Sequence, residues 1–371
     1  MNTAFNRLLA GLALAVPAAA WADPQTAADA AVVPEGLTLQ LYASAIPQAR
    51  HLAVKEDGTV AVGTRADAVH LLRDTTGDGR ADWRHEIGGL ESPNGVAWLG
   101  DDLYIGETAR VLKAADVLAR VAANKPVSLE VALDGFPTSK HHGARVIAFD
   151  ESGRLHISLG VPCNICMPPD PELTGTIRSY DLDSGSGYSV AYGFRNSVGF
   201  DWHPGTGEMW ATDHGRDWMG DDLPSDELNR IREPGLHFGY PYCHQGDLPD
   251  PEFDDRPCAD FEPPALKTGP HVANNGIHFY RGDAIGALAG KAFIALHGSW
   301  NRSTKIGYRV DMISFTDDGS QVSERSILVD GWLDGDDVLA RPVDIEQLPD
   351  GSLLVSDDYK GAVYRILPLD G

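Results

Sequence analysis

The chain has 371 residues, of which 54 are Asp or Glu and 30 are Lys or Arg, so its formal net charge is −24. Such an acidic surface repels the phosphate backbone of nucleic acids and disfavours a nucleic-acid-binding function. The hydrophobic fraction of 43% is enough for a folded core, and 40 glycines and 24 prolines indicate many turns.

The N-terminal segment has the pattern of an export signal. Arg7 precedes an apolar run over residues 8–20, and Ala20-Trp21-Ala22 offers an A-x-A cleavage site. The apolar run is shorter than the roughly 20 residues that a membrane span needs. We therefore predict a signal peptide over residues 1–22 and a flexible leader over residues 23–35. The mature protein is then periplasmic or secreted and does not span a membrane.

One pattern occurs six times after residue 50, and it consists of an apolar strand, a tight turn and a second apolar strand. The turns contain Asp-Gly, Gly-Asp or Gly-Thr-Gly, whose residues reach the positive φ that matches strand twist. The six copies span residues 52–65, 96–106, 146–160, 198–213, 277–298 and 343–357. Repetition at about 45 to 80 residues is typical of a propeller in which each copy belongs to one antiparallel blade. The sequence thus predicts an all-β, six-bladed β-propeller over residues 36–371, with residues 114–123 as the best helical segment.

The four cysteines form two local pairs. Cys163 and Cys166 form a C-x-x-C motif followed by Met167, so the motif is not the C-x-x-C-H attachment site of c-type haem. A zinc site there would need two further ligands, for which the sequence offers no obvious source. Cys243 and Cys258 flank a loop rich in Pro and Asp. In an exported protein both pairs are best interpreted as disulfides.

Four clusters of polar residues stand next to the repeated strands. They are residues 140–145, 193–196, 213–229 and 297–302, and they are rich in His, Arg and Asn. Any one of these residues alone would most simply cap a strand or pair within a turn. Because all four clusters fall at equivalent ends of the repeat, they indicate a site at one mouth of the central channel.

At these clusters the chain resembles the soluble quinoprotein sugar dehydrogenases that use pyrroloquinoline quinone (PQQ), most closely the L-sorbosone and pyranose dehydrogenase branch. The resemblance extends from about Gly36 to Leu367. It rests on LGVPCNIC, YGFRNSVGFDWHPGTGEMWATDHGRD, DDLPSDELN, FGYPYC, ALHGSWNRS and RPVD…PDGSLLVSDD. GFRNSVG departs from the family's GxRNPxG, since Ser197-Val198 replaces Pro and its neighbour. The resemblance implies an oxidoreductase that passes hydride from a sugar or sugar-derived aldehyde to PQQ, with Ca²⁺ bound to the cofactor.

The same resemblance implies roles for the central residues. His141 aligns best with the family's general base, a task that suits the near-neutral pKa of histidine. His142 is the rival, and the spacing to the following Arg145 favours His141. Arg195 would stabilise negative charge on the quinone oxygen, and Asn196 would hydrogen-bond the cofactor.

The resemblance also implies residues that hold the cofactor. PQQ carries three carboxylates, which planar guanidinium groups match in bidentate fashion. Arg341 aligns with a cofactor-binding arginine of the family, and Arg302 and Arg50 are further candidates. His297 or Trp300 would take the place of the cofactor lysine of the glucose-oxidising branch.

Two segments are candidates for calcium. By the resemblance, the backbone carbonyls of Gly215 and Arg216 would bind the cofactor's Ca²⁺, although the family commonly has Gly-Pro at this turn. Separately, residues 74–82 place oxygen side chains as in the first part of an EF-hand loop, but His85 stands where the bidentate acid belongs. A structural Ca²⁺ and an ordinary blade turn are both open there.

Two other classes of function are compatible with a six-bladed propeller. One is a Ca²⁺-dependent lactonase with its metal deep in the channel, drawing on Asn94 and Asp213. The other is a binding propeller without catalysis, since a fold alone does not decide function. In the quinoprotein interpretation, electrons leave to a separate acceptor, a cytochrome or a quinone, because the chain has no haem motif.

Overall fold

The structure is a computed structural model that describes residues 23–369. Its main elements are six antiparallel sheets, which follow one another as the blades of a propeller and confirm the predicted fold class. The predicted signal peptide over residues 1–22 lies outside the described residues. No helix within residues 23–369 is long and apolar enough to cross a membrane.

Blades 1 to 3 come first along the chain, and their strands pair in chain order. The strands of blade 1 are Ala49–Val54, Val60–Thr64, Ala68–Arg73 and Trp83–Gly88. Those of blade 2 are Gly95–Leu99, Asp102–Gly106, Val111–Ala114 and Leu129–Leu133. Those of blade 3 are Ile147–Phe149, Leu155–Leu159, Thr176–Tyr180 and Gly187–Tyr192, with Leu236–His237 added in parallel at its edge.

Blades 4 to 6 follow along the chain and close the ring. The strands of blade 4 are Phe200–Trp202, Met209–Asp213, Ser225–Ile231 and Leu266–Pro270. Those of blade 5 are Asn274–Phe279, Ala292–Leu296, Arg309–Phe315 and Val322–Val329. Blade 6 contains Pro342–Gln347, Leu353–Asp357 and Ala362–Pro368, and the N-terminal strand Leu37–Ala43 completes it by pairing with Ala362–Pro368.

Short elements lie between the blades. Two small ribbons pair Cys243–His244 with Leu248–Pro249 and Leu333–Asp334 with Asp337–Val338. The α-helices are Pro24–Ala30 and Val117–Ala122, and 3₁₀ turns occupy Cys258–Asp260 and Gly286–Leu288. The second helix confirms the predicted helical segment at residues 114–123.

The hydrophobic core lies between the blades, as one apolar cluster at each of the six blade junctions. Alternation along a strand produces this arrangement, because successive side chains point to opposite faces of the sheet. Val60 and Val62 pack towards blade 6, whereas Ala61 between them packs towards blade 2. Each blade is therefore buried on both faces, and the polar ends of the strands are left to line the channel.

The segment before the first strand differs from the predicted flexible leader. Asp23 caps helix Pro24–Ala30 by accepting a hydrogen bond from the backbone of Gln25 at 2.9 Å. Ala27 is fully buried, and its carbonyl accepts a hydrogen bond from the indole of Trp332 at 3.0 Å. This part of the expected leader is thus a capped helix docked at the junction of blades 5 and 6.

Both predicted disulfides are present. Cys163 is bonded to Cys166, and Cys243 is bonded to Cys258. Neither the Cys163–Cys166 segment nor most of the loop between Cys243 and Cys258 lies in a regular sheet. The cross-links therefore restrain loops that have few ladder hydrogen bonds of their own.

Candidate active site

The predicted polar clusters meet at one mouth of the channel, around a cavity of about 260 Å³. In every blade the first strand begins at this mouth, so residues just before it face the axis. The cavity is lined by Arg50, Arg65, His141, His142, Arg195, Asn196, His214, Gly215, Asp217, Asp226, His271, Ala273, Asn275, His297 and Trp300. A neighbouring cavity of about 510 Å³ shares Arg65, His141, His142 and Asn196 with it.

Asp213 fixes the turn that carries Arg195 and Asn196. Its two carboxylate oxygens accept the backbone N–H groups of Arg195 at 2.9 Å and Asn196 at 2.7 Å. Gly160 lets the backbone of blade 3 pass close to His142 and Asn196. A Cβ at this position would lie 2.6 Å from the Cβ of His142 and 2.9 Å from the side-chain oxygen of Asn196. The backbone of blades 3 and 4 thus sets where these side chains enter the cavity.

The guanidinium of Arg195 is buried and held along one edge. Its Nε donates to the carbonyl of Asn164, and its Nη2 donates to Oδ1 of Asn164 and to the carboxylate of Asp217, each at 2.8 Å. Within residues 23–369 no acceptor contacts Nη1. Since Arg195 lines the cavity, Nη1 is the donor available to a bound molecule.

The adjacent histidines His141 and His142 are in contact but differ in environment. Their ring centroids are 4.1 Å apart. Nδ1 of His142 donates to the carbonyl of Val161 at 2.9 Å, which leaves the lone pair on Nε2. Burial, with the charge of Arg195, lowers the pKa of His142 to about 2. His141 is exposed to the cavity and its ring has no hydrogen-bond partner among the described residues.

Asp358 joins three cationic or polar groups on the opposite side of the cavity. Its carboxylate accepts hydrogen bonds from Arg50 at 3.1 Å, from His297 at 3.1 Å and from Arg341 at 2.6 Å. Although burial opposes ionisation, these neighbours hold the pKa of Asp358 well below its usual range. Burial and the charge of Arg65 lower the pKa of Arg50 to about 9, which still leaves it charged at neutral pH.

The cavity therefore concentrates positive charge in an acidic protein. Three arginines, Arg50, Arg65 and Arg195, line it together with two carboxylates, Asp217 and Asp226, and the guanidinium of Arg65 has no hydrogen-bond partner among the described residues. Two buried amide atoms also lack partners there, Oδ1 of Asn196 and Nδ2 of Asn275. Buried polar atoms are normally satisfied, so this donor and acceptor set suits a planar, anionic ligand.

The structure brings together most of the residues predicted from the sequence. His141, Arg195, Asn196, Arg50, His297, Trp300 and Gly215 all line the cavity. Arg341 lies at the rim, where it reaches the cavity only through Asp358.

Besides Arg341, two further predicted residues are not part of the cavity lining. The side chain of Arg302 is bound by the backbone of Asp221 and by Asp222, and it anchors one loop to another. The side chain of Arg216 turns away to Asp250 at 2.5 Å and Glu252 at 2.9 Å. The prediction of Arg302 as a cofactor ligand is therefore not supported by this geometry, because acceptors within the protein already occupy it.

The sequence prediction missed several residues of the cavity. Arg65 follows the second strand of blade 1, at the same position in its blade as His214 and His297, and this equivalence could have identified it. Asp358 does not line the cavity but binds Arg50 and His297, which do, and it also follows a second strand, in blade 6. Asn275 lies within a first strand and not after a second one, so this equivalence does not identify it.

The turn predicted to bind the cofactor's calcium has free backbone oxygens. The N–H of Gly215 donates to Asp226 at 2.7 Å, while the carbonyls of Gly215 and Arg216 receive no hydrogen bond from residues 23–369. Carbonyl oxygens are suitable ligands for Ca²⁺. Across the described part of the chain no group of three or more His, Cys, Asp or Glu is arranged to hold a metal.

The other metal candidates have their oxygens in use. In the segment 74–82, the carboxylate of Asp74 accepts the N–H groups of Gly77 at 2.7 Å and Gly79 at 2.8 Å, and Arg365 pairs with it at 3.3 Å. An ordinary blade turn explains this geometry.

For the lactonase alternative, Asn94 accepts from Arg50 at 3.0 Å, and Asp213 carries the turn of Arg195. Neither side chain is directed to a shared metal position.

A larger cavity of about 580 Å³ lies at the other end of the channel. It is lined by the far ends of the first strands, including Lys55, Trp98, Phe149 and Trp202. None of the residues predicted for catalysis or cofactor binding reaches it, so the candidate site is the smaller, cationic mouth.

The comparisons with known proteins concern the chain as a whole. The model of the TrAA12-like family matches residues 31–368. An uncharacterized protein of Borreliella burgdorferi is 30% identical over 358 residues, which cover 90% of each chain.

Similar solved structures share the propeller at low sequence identity. The calcium structure of the Trichoderma reesei member of carbohydrate-active enzyme family AA12 has a TM-score of 0.78 and 20% identity, over 91% of this chain and 97% of that chain. The holo form of the pyranose dehydrogenase PQQ domain from Coprinopsis cinerea has a TM-score of 0.75 and 19% identity, over 91% and 96%. The PQQ-bound aldose sugar dehydrogenase of Streptomyces coelicolor has a TM-score of 0.61 and 17% identity, over 90% and 99%.

The match to the family model spans all six blades, and the solved structures agree with it in fold. The chain therefore belongs to the TrAA12-like family, and it is an enzyme homologous to the PQQ-dependent sugar dehydrogenases, as its motifs predict.

Proposed function

We propose that this protein is an exported quinoprotein that oxidises a sugar or a sugar-derived aldehyde, sorbosone-like or a pyranose, with PQQ and Ca²⁺. The observation that carries the proposal is the cationic cavity, in which Arg50, Arg65 and Arg195 converge beside two histidines in a chain of net charge −24. A tricarboxylate fits such a cavity, because carboxylates pair with guanidinium groups.

The lining residues fit the cofactor in polarity as well as in charge. Arg65 would pair with one of its carboxylates, the enclosed Arg50 would add positive charge beside it while remaining paired with Asp358, and the amides of Asn196 and Asn275 would bond its polar edge. The free carbonyls of Gly215 and Arg216 would supply ligands to Ca²⁺. When bound, PQQ supplies a quinone that accepts the equivalent of a hydride from the substrate.

Residues of the chain would accept the substrate's proton and stabilise the charge that develops during the reaction. His141, exposed in the cavity, would take the proton of the substrate hydroxyl as it is oxidised. His142 would stay neutral, held by Val161, and its low pKa makes it a poor proton acceptor. Nη1 of Arg195 would donate to the oxygen on which negative charge grows, an interaction that is strongest in the transition state.

Export and an external acceptor complete the proposal. The two disulfides suit an oxidising compartment, in keeping with the signal-like residues 1–22. Trp218 and Trp300, which are 69% and 68% exposed, stand together at the mouth with ring centroids 5.4 Å apart. We propose that the sugar and the separate electron acceptor, a cytochrome or a quinone, both approach from this mouth.

The test is reconstitution of the purified protein. PQQ and CaCl₂ would be added and reduction of an artificial dye followed with aldoses, ketoaldehydes and alcohols, while cofactor binding is measured by absorbance titration. We expect saturable PQQ binding, dye reduction that a calcium chelator abolishes, and at least about 10²-fold lower turnover in Arg195→Ala. Absence of both binding and dye reduction would refute the proposal, and hydrolysis of lactones would favour the lactonase class.

A further inference from the structure

The loop closed by the disulfide Cys163–Cys166 contacts the guanidinium of Arg195 directly. It lies between the strands Leu155–Leu159 and Thr176–Tyr180 of blade 3 and reaches Arg195, which precedes the first strand of blade 4, and Asp217, which follows the second. Asn164, inside the disulfide ring, is the residue that makes the contact. The loop therefore lies beside the candidate site.

Both polar groups of the Asn164 side chain, Oδ1 and Nδ2, bind Arg195 or Asp217. Its Oδ1 accepts from Nη2 of Arg195 and from the N–H of Asp217, both at 2.8 Å. Its Nδ2 donates to the carbonyl of Asp217 at 3.2 Å, and its own carbonyl accepts from Nε of Arg195 at 2.8 Å. Asn164 therefore ties Arg195 to the backbone of Asp217, whose carboxylate forms the ion pair with the same guanidinium.

The arrangement selects which donors of Arg195 reach the cavity. A guanidinium has five N–H donors in a rigid plane. Three of them are used by Asn164 and Asp217, and the two on Nη1 have no acceptor within residues 23–369. Fixing one edge of a planar group fixes the other edge, so the loop determines where Nη1 points.

The loop itself is held by covalent and polar contacts rather than by a sheet. The disulfide closes a ring between residues three positions apart. The hydroxyl of Tyr240 accepts a hydrogen bond from the N–H of Cys166 at 2.9 Å and lies 3.5 Å from Sγ of Cys163. Tyr240 is buried at 3% exposure and follows the edge strand Leu236–His237, so this support comes from the buried part of the long insertion. Without the cross-link the loop would have more backbone conformations, and the few contacts with Tyr240 would have to order it alone.

We propose that the disulfide-closed loop Cys163–Cys166 is a positioning device, in which Asn164 orients Arg195 so that only Nη1 faces the reacting centre. This inference rests on the proposed function, since it specifies how that function's charge-stabilising group is held. A donor that is already in place adds no cost of reorganisation when charge develops, whereas a displacement of about 1 Å can cost about 10²-fold in rate. Asn164 is thus a positioning residue, and Arg195 remains the catalytic one.

The kinetic test compares Asn164→Ala, Asn164→Asp, Arg195→Ala and the double variant Asn164→Ala/Arg195→Ala in the reconstituted enzyme. Asn164→Ala should lower kcat about 10- to 100-fold with KM changed less than about 3-fold, because the lost interaction belongs to the transition state. Asn164→Asp keeps both acceptor bonds of Oδ1 and should recover kcat to within about 5-fold of the parent. The double variant should be no slower than Arg195→Ala alone, since Asn164 acts only through Arg195.

A second readout needs neither cofactor nor turnover. The exchange rate of the Nε proton of Arg195 can be followed by NMR in protein labelled with ¹⁵N-arginine, with the signal assigned by its loss in Arg195→Ala. We expect exchange to be at least about 10-fold faster in Asn164→Ala and in Cys163→Ser/Cys166→Ser, because the backbone carbonyl of residue 164, which accepts from Nε, becomes mobile when the side-chain bonds to Asp217 or the cross-link are removed. Circular dichroism of each variant establishes that the propeller is folded.

The outcomes separate this inference from the proposed function. If no variant shows dye reduction, the proposed function fails, and the exchange rates still decide whether the loop orients Arg195. Unchanged kcat and unchanged exchange in both Asn164→Ala and the double serine variant would overturn the inference. So would additive losses in Asn164→Ala/Arg195→Ala, because they would show that Asn164 acts independently of Arg195.

Discussion

Arginines in and around the cationic mouth differ in how deeply they are buried and in which acceptor they bind. Arg50 is fully enclosed and paired with Asp358, whereas Arg65 is exposed in the cavity and has no partner among the described residues. Arg302 also carries a guanidinium, but this group donates to the backbone carbonyl of Asp221 in a neighbouring loop. Residue type alone therefore did not distinguish these arginines, since the difference lies in which acceptor each one already has.

This difference predicts unequal effects on cofactor binding. Arg65→Ala should weaken PQQ binding about 10- to 100-fold, because a charge-assisted hydrogen bond contributes roughly 1.5 to 3 kcal/mol. Arg302→Ala, a matched removal of one guanidinium outside the cavity, should leave the affinity within about 2-fold of the parent. Absorbance titration with PQQ measures both variants, and equal losses in the two would contradict the assignment.

The two adjacent histidines lead to a second prediction at this scale. His141→Ala should lower turnover at least about 10²-fold, the usual contribution of a general base. His142→Ala should have the smaller effect on kcat, since its low pKa makes it a poor proton acceptor and its ring is held by Val161. Steady-state kinetics decides, with His85→Ala on the outer strand of blade 1 as the control. Near-normal turnover in His141→Ala would remove it from the mechanism.

At the scale of elements, regular strands were predictable and insertions were not. The six strand–turn–strand copies follow from alternation and turn chemistry, which act within a few residues. The directions of Arg216 and Arg302 depend on acceptors in loops at other places in the chain, such as Asp250 and Asp221. No local sequence pattern encodes such pairings. The sequence therefore located the polar clusters but did not predict the direction in which each side chain points.

The helix Pro24–Ala30 is the element for which prediction and structure differ most. Its sequence is short and rich in alanine, and isolated helices of this length are marginal in water. Its order comes from docking, because Ala27 is buried and Trp332 bonds its carbonyl. Tertiary contact of this kind leaves no periodic signal in seven residues.

Docking of this helix predicts a position-dependent response to charge. Ala27→Asp should lower the free energy of unfolding by roughly 2 kcal/mol or more, because it buries an unpaired carboxylate or displaces the helix. Thr26→Asp, the same change at an exposed neighbouring position, should have little effect or stabilise slightly near the helix N-terminus. Urea denaturation of both variants measures the difference. Equal stabilities would mean that the segment is not docked.

At the scale of the whole molecule, ring closure explains how distant residues come to share one cavity. Strand Leu37–Ala43 pairs with Ala362–Pro368, so the two ends of the propeller lie in one blade. Blade 1 then follows blade 6 directly, and Arg50 meets Asp358 across 308 positions of sequence. The repeat predicted this closure in outline, but the pairing of particular charges across the seam depends on side-chain geometry that only the folded ring provides.

The propeller as a whole also buries histidines that should make it sensitive to acid. His278, at the far mouth of the channel, is 5% exposed and faces Asp201, Glu346, Asp344 and Arg281. Burial outweighs the acidic neighbours and lowers its pKa to about 4. The unfolded chain titrates near 6.5, so its histidine binds a proton between about pH 6.5 and 4 while the folded one does not. Stability from this group is therefore complete above pH 6.5 and is lost as pH falls towards 4.

Replacing this histidine should flatten the acid side of the stability profile. Between pH 7 and pH 5 the titration of His278 alone should remove about 2 kcal/mol of the free energy of unfolding. In His278→Gln the loss over that interval should be smaller by this amount, even if the variant is less stable at pH 7, because the other titrating groups are common to both proteins. Urea denaturation at the two pH values measures the four free energies, and His85→Gln controls for the removal of a half-buried histidine. Identical pH slopes in His278→Gln and the parent would show that His278 takes up a proton in the folded propeller as readily as in the unfolded chain.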